Sequence, residues 1–148
     1  MTHEDYMNQA LTLAREAAAH GEVPVGCVIV RDGKIIGRGR NRREEKQAVS
    51  SHAEMEAMAQ ANEALGSWRL EDCDLYVTLE PCPMCAGAII NARVRRVFYG
   101  ARDRAMGACG GVLNLFMESF PHHPQLVGGI LAEDCQMVLS EFFKGLRK

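Results

Sequence analysis

The pattern of apolar and polar positions along the chain switches between a helical and a strand period. Tyr6, Ala10, Leu13, Ala14 and Ala17 fall on one helical face, and Thr2 with Asp5 has the form of a capping box. They predict a first helix that starts at Thr2 and stops near Gly21, before Pro24. Val25 to Arg31 reads as a buried strand, Asp32-Gly33 as a hairpin turn, and Lys34 to Gly39 as the returning strand. Asn41 to Ser51 is polar and predicts a loop. A second helix is expected from His52 to Leu65, with Glu54 and Glu56 in its first turn and Gly66 at its end. Leu75 to Leu79 predicts a short strand. Beyond it Pro83 suits the first turn of a helix that runs through Ile90. Val94 to Tyr99 predicts another strand, Val112 to Phe116 a short helical piece, Gln125 to Ile130 a last strand, and Leu131 to Leu146 an amphipathic helix.

A hairpin followed by strands alternating with helices implies an α/β fold: one mixed five-stranded sheet, partly parallel, covered by helices on both faces in three layers. The length of 148 residues suits one domain, residues 1–148, large enough to bury most of its apolar surface. Hydrophobic residues at 47% and charged residues at 24% exclude a disordered chain. No apolar run reaches the roughly 18 residues of a membrane span, and the acidic start, Met1-Thr2-His3-Glu4-Asp5, is unlike a signal peptide. A cytoplasmic protein is expected, which makes disulfides among the six cysteines improbable.

Two of those cysteines stand apart. Cys82 and Cys85, at Cys-x-x-Cys spacing, bring two thiols to one helical turn directly after a strand. His52 opens the preceding helix. Three soft or borderline ligands with no second Cys-x-x-Cys pair leave one corner of a zinc tetrahedron for water, as catalytic sites do. His122-His123, between prolines, is a weak candidate for a fourth ligand, and a thioredoxin-like pair would leave His52-Ala53-Glu54 unexplained. Glu54 lies two positions after His52, so the two share a site only if His52 sits at the frayed first turn. A metal that acidifies water, beside a carboxylate that carries protons to a ring nitrogen and to departing ammonia, is equipment for deaminating an amidine-like base.

The net charge of -2 argues against a generally basic coat, yet the basic residues cluster. Lys34, Arg38, Arg40, Arg42, Arg43 and Lys46 form one group; Arg93, Arg95, Arg96, Arg102 and Arg104 a second; Lys144, Arg147 and Lys148 a third. Taken alone, solubilising strand faces and a basic helix C-terminus account for them more readily than nucleic acid does.

His52-Ala53-Glu54 with Pro81-Cys82-Pro83-Met84-Cys85 resembles the zinc-dependent cytidine and deoxycytidylate deaminase superfamily. Within it the whole chain is similar to the bacterial tRNA-specific adenosine deaminases, through Glu22 to Gly26, Leu75 to Pro81, Cys85 to Ala88, Gly100 to Asp103 and Phe142-Phe143. The resemblance implies a cytidine-deaminase-like fold, one Zn2+ per subunit held by His52, Cys82 and Cys85, and Glu54 as the catalytic residue. It implies conversion of the wobble adenosine of a tRNA anticodon stem-loop to inosine by a homodimer. Asn41 and the backbone at Ala53 would then hold the base, Asp103 and Arg102 a sugar or neighbouring nucleotide, and Phe142, Phe143 and Arg147 the anticodon loop. The chain departs from the family at Ala48-Val49-Ser50-Ser51, where Asp-Pro-Thr-Ala is common, and at Ala105 and Met106. Gly111 stands where Ser is usual, and Gly145 interrupts the terminal helix. Two other readings compete: a guanine deaminase acting on the free base, and a non-catalytic zinc-stabilised RNA-binding module in which Glu54 is dispensable.

Overall fold

The computed structural model describes residues 1–146. Its elements are α1 (His3–Ala19), β1 (Gly26–Arg31), β2 (Lys34–Arg40), α2 (Arg43–Lys46), α3 (Ala53–Leu65), β3 (Cys73–Leu79), α4 (Pro83–Asn91), β4 (Arg96–Ala101), β5 (Gln125–Gly128) and α5 (Ala132–Leu146). The five strands form one sheet in the order β2-β1-β3-β4-β5. β1 pairs antiparallel with β2 and β3, while β3, β4 and β5 run parallel. The expected mixed α/β sandwich is therefore the observed one. Among the described residues no helix is long and apolar enough to cross a membrane.

Each face of the sheet is buried by its own pair of helices. Ala53, Ala57 and Ala61 of α3 and Ala86 and Ile89 of α4 pack on Cys27, Ile29, Leu75, Val77 and Val97. Tyr6, Met7, Ala10 and Leu11 of α1 and Cys135 and Leu139 of α5 cover Val28, Val30, Tyr76 and Phe98 on the other face. Strand residues therefore alternate between two cores, which is why the Cys27 to Val30 part of β1 and the Leu75 to Val77 part of β3 read as apolar runs. The capping box of α1 is formed as its sequence predicts.

The mixed topology gathers chain ends at one edge of the sandwich. Gly26 of β1 lies opposite Arg40 of β2, and Leu79 of β3 opposite Ala101 of β4. The start of β1, the end of β2 and the carboxyl ends of β3 and β4 thus face the same side, where ligands of such sheets bind.

Three expectations shift. Within the polar stretch after Asn41 a short helix forms, α2, because the buried Glu22 carboxylate accepts from the backbone N–H groups of Glu44 (3.1 Å) and Glu45 (2.7 Å). Residues 112–116 form only a 3-10 turn at Leu115–Met117, capped by the Asn114 side chain, with Val112 and Leu113 exposed. β4 begins two residues later than the apolar run, because the Arg95 and Arg96 guanidiniums reach back to the buried Asp74 carboxylate of β3.

α3 lies against the backbone of β2 with almost nothing between. A Cβ at Gly39 would strike the Ala53 carbonyl oxygen and approach the Ala57 nitrogen to 2.6 Å; one at Gly37 would strike the Ala57 carbonyl oxygen. The obstructing atoms are backbone, so a side chain here must lift the helix. Gly39→Val is expected to lower stability by about 1–3 kcal/mol through overpacking, measured as the urea midpoint, and to weaken metal binding because Ala53 adjoins His52.

Candidate metal centre

Two helix starts meet at that edge of the sheet. His52 is the N-cap of α3 and Cys82 the N-cap of α4, both in extended conformation and neither side chain spent on capping. Ser, Thr, Asp or Asn ordinarily takes such a position to satisfy free N–H groups. Here a ring nitrogen and a sulfur project outward instead. Pro83 opens α4, and one turn places Cys85 beside Cys82. The extended N-cap also explains how His52 and Glu54 share a site. His52 precedes the helical turn, so the i, i+2 rule for helix faces does not separate them.

His52 Nδ1 stands 3.6 Å from Cys82 Sγ and 3.6 Å from Cys85 Sγ, and one ligand atom from each residue lies within 4.8 Å of the others. Zinc bonds of roughly 2.3 Å to sulfur and 2.0–2.1 Å to nitrogen give a tetrahedral nitrogen–sulfur edge of about 3.6 Å. The donor set and its spacing fit zinc. His122 and His123 are elsewhere: their Nε2 atoms meet the Val94 carbonyl (2.6 Å) and the Glu118 carbonyl (2.7 Å), so neither joins the group.

The electrostatics match a site built for a cation. A hydrogen bond from the Cys85 thiol, aided by His52, holds Cys82 down at about 4, so it is a thiolate, although burial opposes this. Sharing with that thiolate, with burial, raises Cys85. The Cys82 sulfur raises His52 above its ordinary value against the effect of burial. Glu54 is 3% exposed, and burial pushes its carboxyl up to about 7. Hydrogen bonding to its own backbone and the charge of His52 oppose the rise, and Cys82 adds to it. A carboxyl poised near neutrality can both take and give a proton.

Above this group opens a cavity of about 400 Å³ whose wall includes Asn41, His52, Ala53, Glu54, Cys82 and Asp103. Asn41 is buried and fixed: its Nδ2 donates to the Val23 carbonyl (3.4 Å), and its Oδ1 accepts from the Arg43 N–H (3.3 Å). Asp103 Oδ1 accepts from the N–H groups of Ala105 and Met106 (3.0 and 3.1 Å). A second cavity, about 680 Å³, shares Val23, Leu79 and Asp103 with the first and is lined also by Arg102, Arg104, Lys144 and Phe143. Arg102 donates to the Tyr99 hydroxyl (3.2 Å) and the Gly110 carbonyl (3.3 Å). Phe142 is half-buried, edge-on to Phe143 at 5.5 Å, and lines neither cavity. Arg147 lies outside the described residues.

Sequence reasoning did not name Arg43 or Glu80 as wall residues. Arg43 had been one member of a basic cluster. Val49 and Met106, both exposed, are among the departures from the family pattern that border the expected RNA path, and both stand at the cavity wall.

Residues 1–147 match the family model for MafB19-like deaminases. The tRNA-specific adenosine deaminase of Bacillus subtilis (strain 168) is 49% identical, over 100% of this chain and 93% of that protein. A solved structure from a study of A-to-I editing by tRNA:A34 deaminases at the wobble position superposes with a TM-score of 0.88 at 44% identity, covering 91% of this chain and 99% of that one. Guanine deaminase from Bacillus subtilis is more distant, with a TM-score of 0.67 at 34% identity over 100% of this chain and 96% of that one. Motif, fold and full-length similarity agree: this chain belongs to the deaminase family, among the tRNA-specific adenosine deaminases.

Proposed function

We propose that the protein hydrolyses the wobble adenosine of a tRNA anticodon loop to inosine, with His52 Nδ1, Cys82 Sγ and Cys85 Sγ holding one Zn2+ per subunit. The observation that carries this reading is the adjacency of the two cavities. A pocket that suits one base shares Val23, Leu79 and Asp103 of its wall with a groove lined also by Arg102, Arg104, Lys144 and the exposed Phe143. A free base needs no such groove, whereas a nucleotide in a strand brings phosphates for the cations and neighbouring bases for the aromatic ring.

Bound zinc would supply Lewis-acid activation of the attacking water. Glu54 takes one proton of the attacking water and passes it to the adenine ring nitrogen as the oxygen bonds to the amino-bearing carbon. It then takes the remaining proton of that oxygen and delivers it to the amino group, whose bond to carbon breaks to release ammonia. Burial suits Glu54 to this work by holding its carboxyl near neutrality. Asn41 and the backbone at Ala53 orient the base. Asp103 and Arg102 meet its sugar or a neighbour, and Phe142, Phe143 and Arg147 grip the loop. Extruding a base costs least in single strands, so loops are favoured over duplex. The exposed apolar residues Val112, Leu113, Met117 and Phe120, in the segment packed on α4, support a homodimer. The work of the enzyme is placed in the cytoplasm.

The direct test offers zinc-loaded protein an anticodon stem-loop with a wobble adenosine, beside free guanine and free cytidine. Inosine in the RNA alone is the expected result; turnover of guanine alone overturns the RNA reading and keeps the metal chemistry. Glu54→Ala is expected to retain zinc and fold while kcat falls by about 10²- to 10⁴-fold, the range of a positioned acid–base group. A parent that shows no turnover while its RNA binding survives Glu54→Ala would point instead to a non-catalytic zinc module, and full deaminase activity in Glu54→Ala would remove Glu54 from the proton path. Cys82→Ser is expected to lose most of its zinc by metal analysis and to unfold at lower temperature than the parent.

A further inference from the structure

Glu80 precedes the Pro81-Cys82 segment and is 2% exposed. Its carboxylate gathers both ends of the loop that follows β4. Oε1 accepts from the Asp103 N–H (3.0 Å), and Oε2 accepts from the N–H groups of Cys109 (2.9 Å) and Gly111 (2.8 Å). The Glu80 N–H donates to the Ala101 carbonyl (2.8 Å), and the Ala108 N–H to the Pro81 carbonyl (2.8 Å). A buried carboxylate is costly unless fully hydrogen-bonded, and three amide donors meet that need. With its oxygens committed to these donors, Glu80 is not arranged to accept a proton from substrate.

The loop is drawn in so tightly that two of its residues have no room for a side chain. A Cβ at Gly107 would strike Glu80 Oε2 and the Asp103 carbonyl oxygen. A Cβ at Gly111 would strike the same Asp103 carbonyl oxygen and come within 2.8 Å of Glu80 Oε1. The obstruction at Gly111 includes backbone, so even the methylene of a serine would displace Asp103.

We propose that Glu80 is a positioning residue for the substrate. It fastens the 102–111 loop to the metal-ligand segment, and the close approach that Gly107 and Gly111 permit sets where Asp103 and Met106 stand at the cavity wall. The inference rests on the RNA reading above and deepens it: the clamp governs which nucleotides are accepted beside the target adenosine. Asp103 bridges the base cavity and the groove, and its side chain is already turned inward to the N–H groups of Ala105 and Met106. Its location therefore follows the backbone that Glu80 holds.

The test compares zinc-loaded parent, Gly111→Ser and Glu80→Gln on two anticodon stem-loops that differ only in the nucleotide beside the wobble adenosine. The readout is the ratio of the two kcat/KM values, in which the fraction of active protein cancels. The parent is expected to prefer one neighbour. In both variants that preference is expected to shrink by about tenfold, the scale of one hydrogen bond to a charged group, with zinc content kept. Gly111→Ser leaves the carboxylate in place, so it decides the matter should Glu80→Gln fail to fold. An unchanged ratio in zinc-loaded Gly111→Ser, or a parent that makes inosine without preference, overturns the inference. A parent that makes no inosine from either RNA overturns the RNA reading itself.

Discussion

The contact on which the site depends is that of α3 with the backbone of β2. Gly37 and Gly39 offer no side chains, and Ala53, Ala57 and Ala61 offer only methyls, so helix and strand approach until backbone meets backbone. That closeness fixes the height of the α3 N-terminus above the sheet. His52 and Glu54 are placed by it, while Cys82 and Cys85 are placed independently by the end of β3. Three ligand atoms from two helices converge only because both helices are seated on one rigid sheet. An error of an ångström in either seat would open the nitrogen–sulfur distances of 3.6 Å beyond what one ion can span.

Three buried glutamates show how partners rather than burial decide what a carboxylate does. Glu22, Glu54 and Glu80 are 1%, 3% and 2% exposed. Glu22 accepts two backbone N–H groups and holds α2. Glu80 accepts three and holds the loop after β4. Glu54 has the Cys85 thiol and its own backbone in place of such a set, and its carboxyl is pushed up to about 7. The two glutamates satisfied by backbone act as structure, and the one with fewer partners is the one whose carboxyl is raised. The two structural ones fix the walls on either side of it, since α2 follows Asn41 and the Glu80 loop carries Asp103.

Much of this was legible in the chain. The capping box at Thr2 and Asp5, the Asp32-Gly33 hairpin and the Gly66 stop are local signals, and each marks an observed boundary. His52, Cys82 and Cys85 were legible because ligand chemistry restricts residue type and spacing. The less legible parts depend on contacts between segments distant in sequence. Glu22 caps α2 from more than twenty positions away, and nothing in the Arg43–Lys46 stretch announces it. Arg95 and Arg96 are drawn to Asp74 across strands, which moves the start of β4. Val112 and Leu113 are apolar yet exposed, so their pattern suggested a helix that no core rewards. Glu80 stood in view beside the ligands, but its role requires knowing where the loop returns.

The division of labour within the fold explains how one scaffold serves different substrates. The 34% identical guanine deaminase has the same architecture over the full length of this chain. The residues that could hold a metal lie at helix starts seated on the sheet, where packing against backbone tolerates little change. The rest of the cavity walls comes from the segment after β2, the loop after β4 and α5, where Val49, Met106 and Phe143 are exposed. Val49, Met106 and Gly111 are among the positions where the chain departs from the pattern of the tRNA-specific adenosine deaminases, and all three belong to these segments. Variation there alters the walls around a base without moving the ligands. The carboxylate of Glu80 joins the two regions, tying the loop after β4 to the segment that carries Cys82 and Cys85 through hydrogen bonds to backbone N–H groups.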